Sequence, residues 1–363
     1  MSSGPRVSVA QPRLLFAASG TGGHVFPALA VAEALPEAKI DWLGVPDRLE
    51  TQLVGDRYPL HTIRVGGFQG SWLLRPLTAL RLIGAIFKVR RLLKRQQIEA
   101  VFTTGGYIAG PAIAAAWSLG IPVVLHESNA LPGKTTRLLS RFCRRVALGF
   151  AEAGEYLPGR PLQVVGTPLR SQFYQPSQHG LPIPENVPVL LVMGGSQGAV
   201  AINRLVRAAA PAWLAAGLWI VHLTGQQDPD RGQLQHPQYI ELSFVDNVAP
   251  LLNRADFSIS RAGAGSLAEL AAAGLPSLLI PYPFAAEDHQ TFNARIFAKA
   301  GAAILAPQSE LTVEQLQQQI LDLLRARLGA AIANPLPKMA AAAGKLHVAD
   351  SAEQVANLLR SLL

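Results

Sequence analysis

The chain repeats one hydrophobic pattern: a short apolar run, a glycine-rich turn, and a segment whose apolar residues recur at helical spacing. Residues 14–35 show it first (LLFAASGTGGHVFPALAVAEAL), and residues 189–206 show it again (VLLVMGGSQGAVAINRLV). Each unit is typical of a strand, a tight turn and a helix. Two such units predict an α/β protein with two similar domains that face one another.

Other apolar runs predict further strands. One starts at residue 100 and runs into a glycine turn, and the others cover residues 39–44, 122–125, 163–166, 189–193, 219–223, 239–244, 257–260 and 277–280. Parallel strands present their carboxyl ends on one side of a sheet. We therefore expect His126, Glu127 and Asn129 to lie at the same edge as His24.

The length of 363 residues suits two domains. We predict a first domain over residues 1–166 and a second over residues 167–347, which opens with a proline-rich linker up to residue 188. The tail, residues 348–363, is helical in pattern and is expected to pack back on the first domain. No signal peptide is apparent, and the single cysteine, Cys143, fits a reducing compartment.

Charge distinguishes the two halves. Residues 1–165 hold 19 Lys and Arg against 10 Asp and Glu, whereas the remainder holds 13 against 14. Residues 72–95 (WLLRPLTALRLIGAIFKVRRLLKR) mix apolar and cationic side chains. This segment is either a helix with a core face and a solvated basic face, or one that presents residues 72–87 to lipid and its cations to an anionic membrane surface. Nucleic acid is not the expected partner, because interleaved aromatic residues are missing.

The glycine turns suggest where chemistry occurs. Backbone N–H groups at the start of the first helix favour a phosphate or another charged acceptor group, and His24 stands there as a candidate general base. In residues 260–274 (SRAGAGSLAELAAAG) a second helix start can hold a phosphate while Glu269 reaches ribose hydroxyls. The polar residues 287–293 suit sugar hydroxyls.

Three other motifs resemble known ligand-binding patterns, but the residues around them argue against that function. A dinucleotide-binding fingerprint needs a glycine where Val25 stands, and a P-loop ending in residues 133–135 needs one where Ser128 stands. Residues 133–135 therefore predict a helix start. Asp228 and Asp230 form a D-x-D pattern within a polar turn, for which we favour a solvated loop over a metal site. We predict no metal and no cofactor.

Several motifs, taken in order, resemble a known family. They are GTGGHVFP at 20–27, TGGYIAGP at 104–111, HESN at 126–129, GTPLR at 166–170, GGSQGA at 194–199 and RAGAGSLAEL at 261–270. Together they resemble the MurG family of bacterial transferases, which add N-acetylglucosamine to lipid I to make lipid II. The resemblance implies a GT-B fold, with two Rossmann-like domains, the donor held mostly by the second and the lipid acceptor by the first.

The resemblance also implies roles for individual residues. Those on the sugar side of the cleft are Thr21, Gly22, Gly23 and Asn129. Those that meet the uridine diphosphate are Arg170, Ser196, Ala264, Gly265, Ser266, Leu267 and Ala268. Val245 is implied for the uracil, Glu269 for the ribose and Gln290 for the N-acetylglucosamine. The residues assigned to the acceptor are Gly105, Gly106 and Tyr107.

The implied reaction is a single displacement. The acceptor's hydroxyl attacks the anomeric carbon of UDP-N-acetylglucosamine with inversion, and His24 acts as the base, assisted by Glu127 or His126. The implied location is the cytoplasmic face of the bacterial inner membrane, as a peripheral protein, beside other cell-wall synthesis and division proteins. Two alternatives are another GT-B glycolipid transferase and a non-catalytic, membrane-docked subunit that binds a UDP-sugar.

Overall fold

A computed structural model describes residues 11–65, 75–175, 178–195, 198–330 and 333–363. Within these residues the first sheet has seven parallel strands in the order β3-β2-β1-β4-β5-β6-β7. The strands are β1 (Arg13–Ala17), β2 (Lys39–Gly44), β3 (Leu60–Thr62), β4 (Ala100–Thr103), β5 (Val123–Glu127), β6 (Arg145–Leu148) and β7 (Leu162–Val164). The order reverses between β1 and β4, so the carboxyl ends of these two strands flank a crevice, as in other doubly wound sheets.

The second sheet repeats this arrangement with six described strands in the order β10-β9-β8-β11-β12-β13. They are β8 (Val189–Met193), β9 (Trp219–Leu223), β10 (Tyr239–Leu242), β11 (Phe257–Ser260), β12 (Ser277–Leu279) and β13 (Ala303–Leu305). Here the crevice lies between β8 and β11. The predicted α/β class with two parallel sheets is therefore confirmed.

The helices cover both faces of the two sheets. Those of the first domain are α1 (Gly22–Glu33), α2 (Leu49–Leu53), α3 (Arg75–Arg95), α4 (Gly106–Trp117) and α5 (Lys134–Leu139). Those that follow are α6 (Val200–Ala215), α7 (Ala249–Arg254), α8 (Ala264–Ala272), α9 (His289–Lys299), α10 (Val313–Leu324), α11 (Leu336–Gly344) and α12 (Ser351–Arg360). Helix α5 begins at Lys134, which confirms the helix start predicted there.

The central strands β1, β4, β8 and β11 are buried along almost their whole length because helices cover both of their faces. In β1, Leu15 and Ala17 pack with α4 on one face, whereas Leu14 and Phe16 pack with α1 on the other. The C-terminal helix α12 joins the second of these clusters through Val355 and Leu359, which are fully buried. The end of the chain thus completes the core of the first domain.

Strands β3, β6 and β13 were not predicted. Each has only three or four residues, and β3 (LHT) carries little apolar character, so neighbouring strands rather than its own pattern define it. Strand β5 also differs from its predicted end. It continues through Glu127, because His126 and Glu127 pair with β6. His126 therefore lies inside the sheet rather than beyond its edge.

Candidate active site

His24 lies on the first turn of α1, beside the glycine turn that follows β4. Its Nδ1 atom is 2.8 Å from the carbonyl oxygen of Thr104. A carbonyl can only accept, so Nδ1 carries a proton and Nε2 is the ring nitrogen that can take one up. The Thr104 hydroxyl donates to the backbone oxygen of His24 at 3.0 Å, which ties the helix start to the turn.

The glycine turn makes room next to this imidazole. Gly105 and Gly106 have φ angles of +88° and +71°, a region that residues with a side chain rarely adopt. A Cβ on Gly106 would lie 3.6 Å from Nε2 of His24, so the turn passes along this second ring nitrogen, which bonds to none of the described residues. Tyr107 follows on α4 with 53% of its surface exposed. His24, Gly105, Gly106 and Tyr107 therefore share one edge of the first domain.

Glu127 holds the loop that follows β5. One carboxylate oxygen accepts from the backbone and side-chain nitrogens of Asn129, at 3.0 and 3.2 Å. The other accepts from the backbone N–H of Gly133 at 3.1 Å and from the Thr136 hydroxyl at 2.6 Å. These four bonds, on a side chain only 5% exposed, suit a residue that positions Asn129 rather than one that takes a proton.

The structure does not bring His126 into the cleft. Its ring is fully buried, Nε2 lies 2.9 Å from the carbonyl oxygen of Gly166, and Nδ1 lies 3.2 Å from the Ser128 hydroxyl. Burial lowers the pKa of the His126 imidazole, so the neutral ring is favoured. Both ring nitrogens are used within the protein, which again describes a positioning residue.

On the second domain, α8 begins immediately after a glycine turn at Gly263. Gly265 and Ser266 are partly exposed there, whereas Leu267 is a buried core residue and could meet a ligand only through its backbone. The helix start offers N–H groups to an anion. Ala264 and Ala268 line a narrow space at the boundary between the domains.

Glu269 lies on the same helix, half-buried in the cleft. The surrounding protein raises the pKa of this carboxyl to about 7, and the nearby Arg170 guanidinium acts in the opposite direction. Arg170 stacks on the ring of Phe26, 4.3 Å from its centroid, and donates to the backbone oxygen of Asp246 at 3.1 Å. Because Phe26 is on α1, Arg170 spans the two domains next to Glu269.

Gln290 lies at the start of α9. Its side-chain oxygen accepts from the backbone N–H groups of Ala262 and Tyr282, at 3.2 and 2.9 Å. Gln290 therefore ties the loop after β11 to the loop after β12. Val245 is partly buried beside the loop that Arg170 contacts. Ser196 lies outside the described residues.

Two residues at this site were not singled out from the sequence. Glu50, fully buried, accepts from the backbone N–H groups of Gly20 and Val45, at 3.1 and 2.8 Å, and so shapes the turn before α1. A Cβ on Gly44 would lie only 2.7 Å from the side chain of Glu50. The glycine at position 44 is therefore the one feature of the sequence that could have indicated this contact. Asn293 is the other: the sequence indicated it only as the last of the polar residues 287–293, and it bonds across the cleft to Asn129.

The D-x-D pattern has a structural role. Asp228 is buried and pairs with Arg207, and Asp230 pairs with Arg204 at 2.5 Å. The expectation of a solvated loop is therefore wrong for Asp228. Among the described residues, no cluster of three or more His, Cys, Asp and Glu side chains is arranged to hold a metal ion.

Two Rossmann-like domains that face one another, each with a glycine turn and a helix start at the carboxyl edge of its sheet, have the architecture of the GT-B glycosyltransferases. Residues 14–148 match the Glycosyltransferase family 28 N-terminal domain, and residues 189–355 match the C-terminal domain of that family. The chain belongs to the MurG family within this class.

Two similar proteins and one similar crystal structure support this assignment to the MurG family. A protein of Rippkaea orientalis is 58% identical over 97% of this chain and 99% of its own length; its name is UDP-N-acetylglucosamine--N-acetylmuramyl-(pentapeptide) pyrophosphoryl-undecaprenol N-acetylglucosamine transferase. A protein of the same name from Trichormus variabilis is 59% identical over 97% of this chain and 98% of its own length. The crystal structure of Acinetobacter baumannii MurG is similar at 32% identity, with a TM-score of 0.76 over 96% of this chain and 99% of that one.

Proposed function

We propose that this protein transfers N-acetylglucosamine from UDP-N-acetylglucosamine to undecaprenyl-pyrophosphoryl-N-acetylmuramyl-pentapeptide, lipid I, and so makes lipid II. The observation that supports the proposal most directly is the hydrogen bonding of the His24 ring. Its Nδ1–H is held by the Thr104 carbonyl, which leaves Nε2 as a proton acceptor at the cleft edge. The names and high identity of the relatives supply the substrates.

The reaction needs one base and a site for the departing diphosphate. Nε2 of His24 takes the proton from the acceptor's sugar hydroxyl as its oxygen attacks the anomeric carbon. The bond from that carbon to the diphosphate breaks, the carbon inverts, and UDP leaves with the electron pair. The N–H groups at the start of α8 and the Arg170 guanidinium stabilise the charge that grows on the diphosphate.

The donor is held by the second domain in this proposal. Glu269 as a carboxylate accepts hydrogen bonds from the ribose hydroxyls, and the backbone near Val245 meets the uracil. The side chain of Gln290 meets the N-acetylglucosamine through its amide nitrogen, because its oxygen is already bonded to Ala262 and Tyr282. Asn129 meets the same sugar from the first domain.

We also propose that the first domain docks on an anionic membrane surface. On α3, Leu80 and Phe87 are each 66% exposed, Ile83 is 49% exposed, and Arg81 and Lys88 are exposed beside them. The spacing of the three apolar residues places them on one face of the helix. Trp117, at the end of the neighbouring α4, is 61% exposed as well. Within the described residues, no helix is long and apolar enough to cross a bilayer.

A transfer assay tests the proposed function. Purified protein is given UDP-N-acetylglucosamine with a labelled sugar, and a short-chain lipid I analogue and diacylglycerol are offered together, with and without chelator. We expect labelled product on the lipid I analogue alone, at the same rate in chelator. Label on diacylglycerol would favour another glycolipid transferase, and binding of the UDP-sugar without turnover would favour a non-catalytic subunit.

A further inference from the structure

Asn293 is a fully buried residue of α9 that bonds to both domains. Its Oδ1 accepts from the backbone N–H of Ala130 at 2.8 Å, and its Nδ2 donates to the side-chain oxygen of Asn129 at 3.1 Å. Nδ2 also donates, at 3.1 Å, to the backbone oxygen of Ala262. Ala130 and Asn129 belong to the first domain and Ala262 to the second, so one side-chain amide joins the loop after β5 to the turn before α8.

The orientation of this amide is determined by the backbone. The Ala130 N–H can only donate and the Ala262 carbonyl can only accept, so Oδ1 and Nδ2 of Asn293 cannot exchange places. In a buried site each of these groups needs its partner. The two loops are therefore held at one separation and in one register.

The contacts of Asn293 continue into both halves of the site. On the first domain, Asn129 is itself held by Glu127. On the second, the N–H of Ala262 bonds to Gln290, three residues before Asn293 on the same helix. Residues three apart lie on one helical face. An unbroken series of hydrogen bonds thus runs from Glu127 on the acceptor side to Gln290, the residue proposed to hold the donor sugar.

We propose that Asn293 is a positioning residue that couples engagement of the donor sugar to the alignment of the two domains. This inference rests on the proposed function, because it gives Gln290 the sugar as its ligand. When the sugar binds Gln290, the start of α9 becomes fixed. The hydrogen bonds of Asn293 then fix Asn129 and Ala130 on the other side of the cleft. The base and the anomeric carbon then stand at reacting distance.

The test compares UDP with UDP-N-acetylglucosamine on three full-length variants. Asn293→Asp keeps the shape and the acceptor but places a carboxylate against two oxygens, while Asn293→Ser removes the bridge without adding charge. The control, Arg137→Gln, removes the exposed Arg137–Glu287 ion pair, which also crosses the cleft. Calorimetry measures the affinity for each nucleotide, and the transfer assay measures kcat and KM.

We expect Asn293→Asp to lower kcat about 100-fold, the typical effect of a misplacement of about 1 Å. Affinity for UDP should stay within about threefold, while the extra affinity gained from the sugar is lost. Asn293→Ser should show the same split more weakly. The control should stay within about threefold throughout, because exposed ion pairs contribute little.

Equal losses of UDP affinity and kcat in either Asn293 variant would overturn the inference, since they would indicate local damage to the donor site. An unchanged kcat in both variants, or an effect of Arg137→Gln as large as theirs, would overturn it too. Should Asn293→Asp not fold, Asn293→Ser decides alone. The binding arm needs no acceptor: if the parent protein failed to use lipid I but the sugar-dependent affinity still vanished in the variants, the proposed function would fail and the inference would stand.

Discussion

At the scale of single residues, His24 has one ring nitrogen held by the backbone and a second that bonds to none of the residues the structure describes. The Thr104 carbonyl holds Nδ1, and Gly106 allows close approach to Nε2. A general base contributes about 10² to 10⁴ in rate. His24→Ala should therefore lower kcat by at least about 100-fold, with UDP affinity within about threefold, as steady-state kinetics and calorimetry would measure. The matched control is His236→Ala, an exposed histidine of the second domain, which should stay within about twofold. A loss below about tenfold in His24→Ala would assign the base elsewhere.

Glu269 gives the donor site a pH dependence. Its pKa is raised to about 7, and only the ionised carboxylate accepts hydrogen bonds from two ribose hydroxyls. The folded protein thus keeps the Glu269 carboxyl protonated at pH values where an ordinary carboxyl is ionised, and binding of the ribose must release that proton. The diphosphate of UDP-N-acetylglucosamine is esterified at both ends and therefore does not titrate between about pH 6 and pH 8. Affinity for this nucleotide should rise about tenfold over that range, as Glu269 ionises.

Calorimetry across that range measures the effect. In Glu269→Gln the affinity should be weaker and flat with pH. The raised pKa also means that Glu269 favours folding less as pH rises from the ordinary carboxyl range through 7, which is opposite in sign to its effect on binding. Affinity that falls with rising pH, or a slope that survives in Glu269→Gln, would remove this carboxyl from the ribose site.

At the scale of elements, α3 has one face in the core and another on which large apolar side chains are exposed. Ala85, Val89 and Leu93 are buried against the first domain, whereas Leu80 and Phe87 are exposed. Leaving two such side chains in water is unfavourable unless another apolar phase covers them. In the proposed membrane contact, the cations on the same helix favour an anionic surface over other apolar partners.

Replacement of both exposed side chains tests this surface. The double variant Leu80→Ser with Phe87→Ser should reduce partitioning onto vesicles with anionic phospholipid about tenfold or more, because partial burial of each is worth on the order of 1 kcal/mol. Vesicle sedimentation measures the bound fraction. Val200→Ser, an exposed apolar residue of the second domain, is the matched control and should bind like the parent. Equal binding by the double variant would place the membrane contact elsewhere.

At the scale of the whole molecule, the chain crosses between the domains twice. It leaves the first domain after β7 and returns through α12, whose Val355 and Leu359 are fully buried beside α1. Arg360 adds bonds to the carbonyl of Ala34 and to Glu37, both at 2.8 Å. The C-terminal helix therefore belongs energetically to the first domain.

Removal of residues 351–363 should destabilise the first domain by several kcal/mol, because it exposes a core face on which Val355, Ala356, Leu358 and Leu359 are buried. We expect the thermal unfolding curve to split, with an early transition for the first domain and a later one for the second. Affinity for UDP should survive below the first transition. One unshifted cooperative transition would show that α12 contributes little to that core.

Much of this architecture follows from local pattern. The apolar runs at β1 and β8 and the glycine turns after them determine strand, turn and helix, because burial on both faces requires continuous apolar sequence and a turn with positive φ favours glycine. Strands β3, β6 and β13 escaped prediction because pairing with neighbours, and not their own composition, defines them. The order of motifs was enough to identify the family.

The sequence by itself determined the two α/β units, the helix starts after their glycine turns and the histidine at the first of them, since each depends on neighbouring residues. Only the tertiary structure decided what the polar side chains do there. The sequence predicts that Glu127 and His126 lie at the same edge as His24. The structure shows that their side chains bond to Thr136 and to the backbone of Gly166, as residues that position neighbouring loops do. Asn293 gains its place from partners more than 160 positions away, Asn129 and Ala130, and a contact that distant leaves no local pattern.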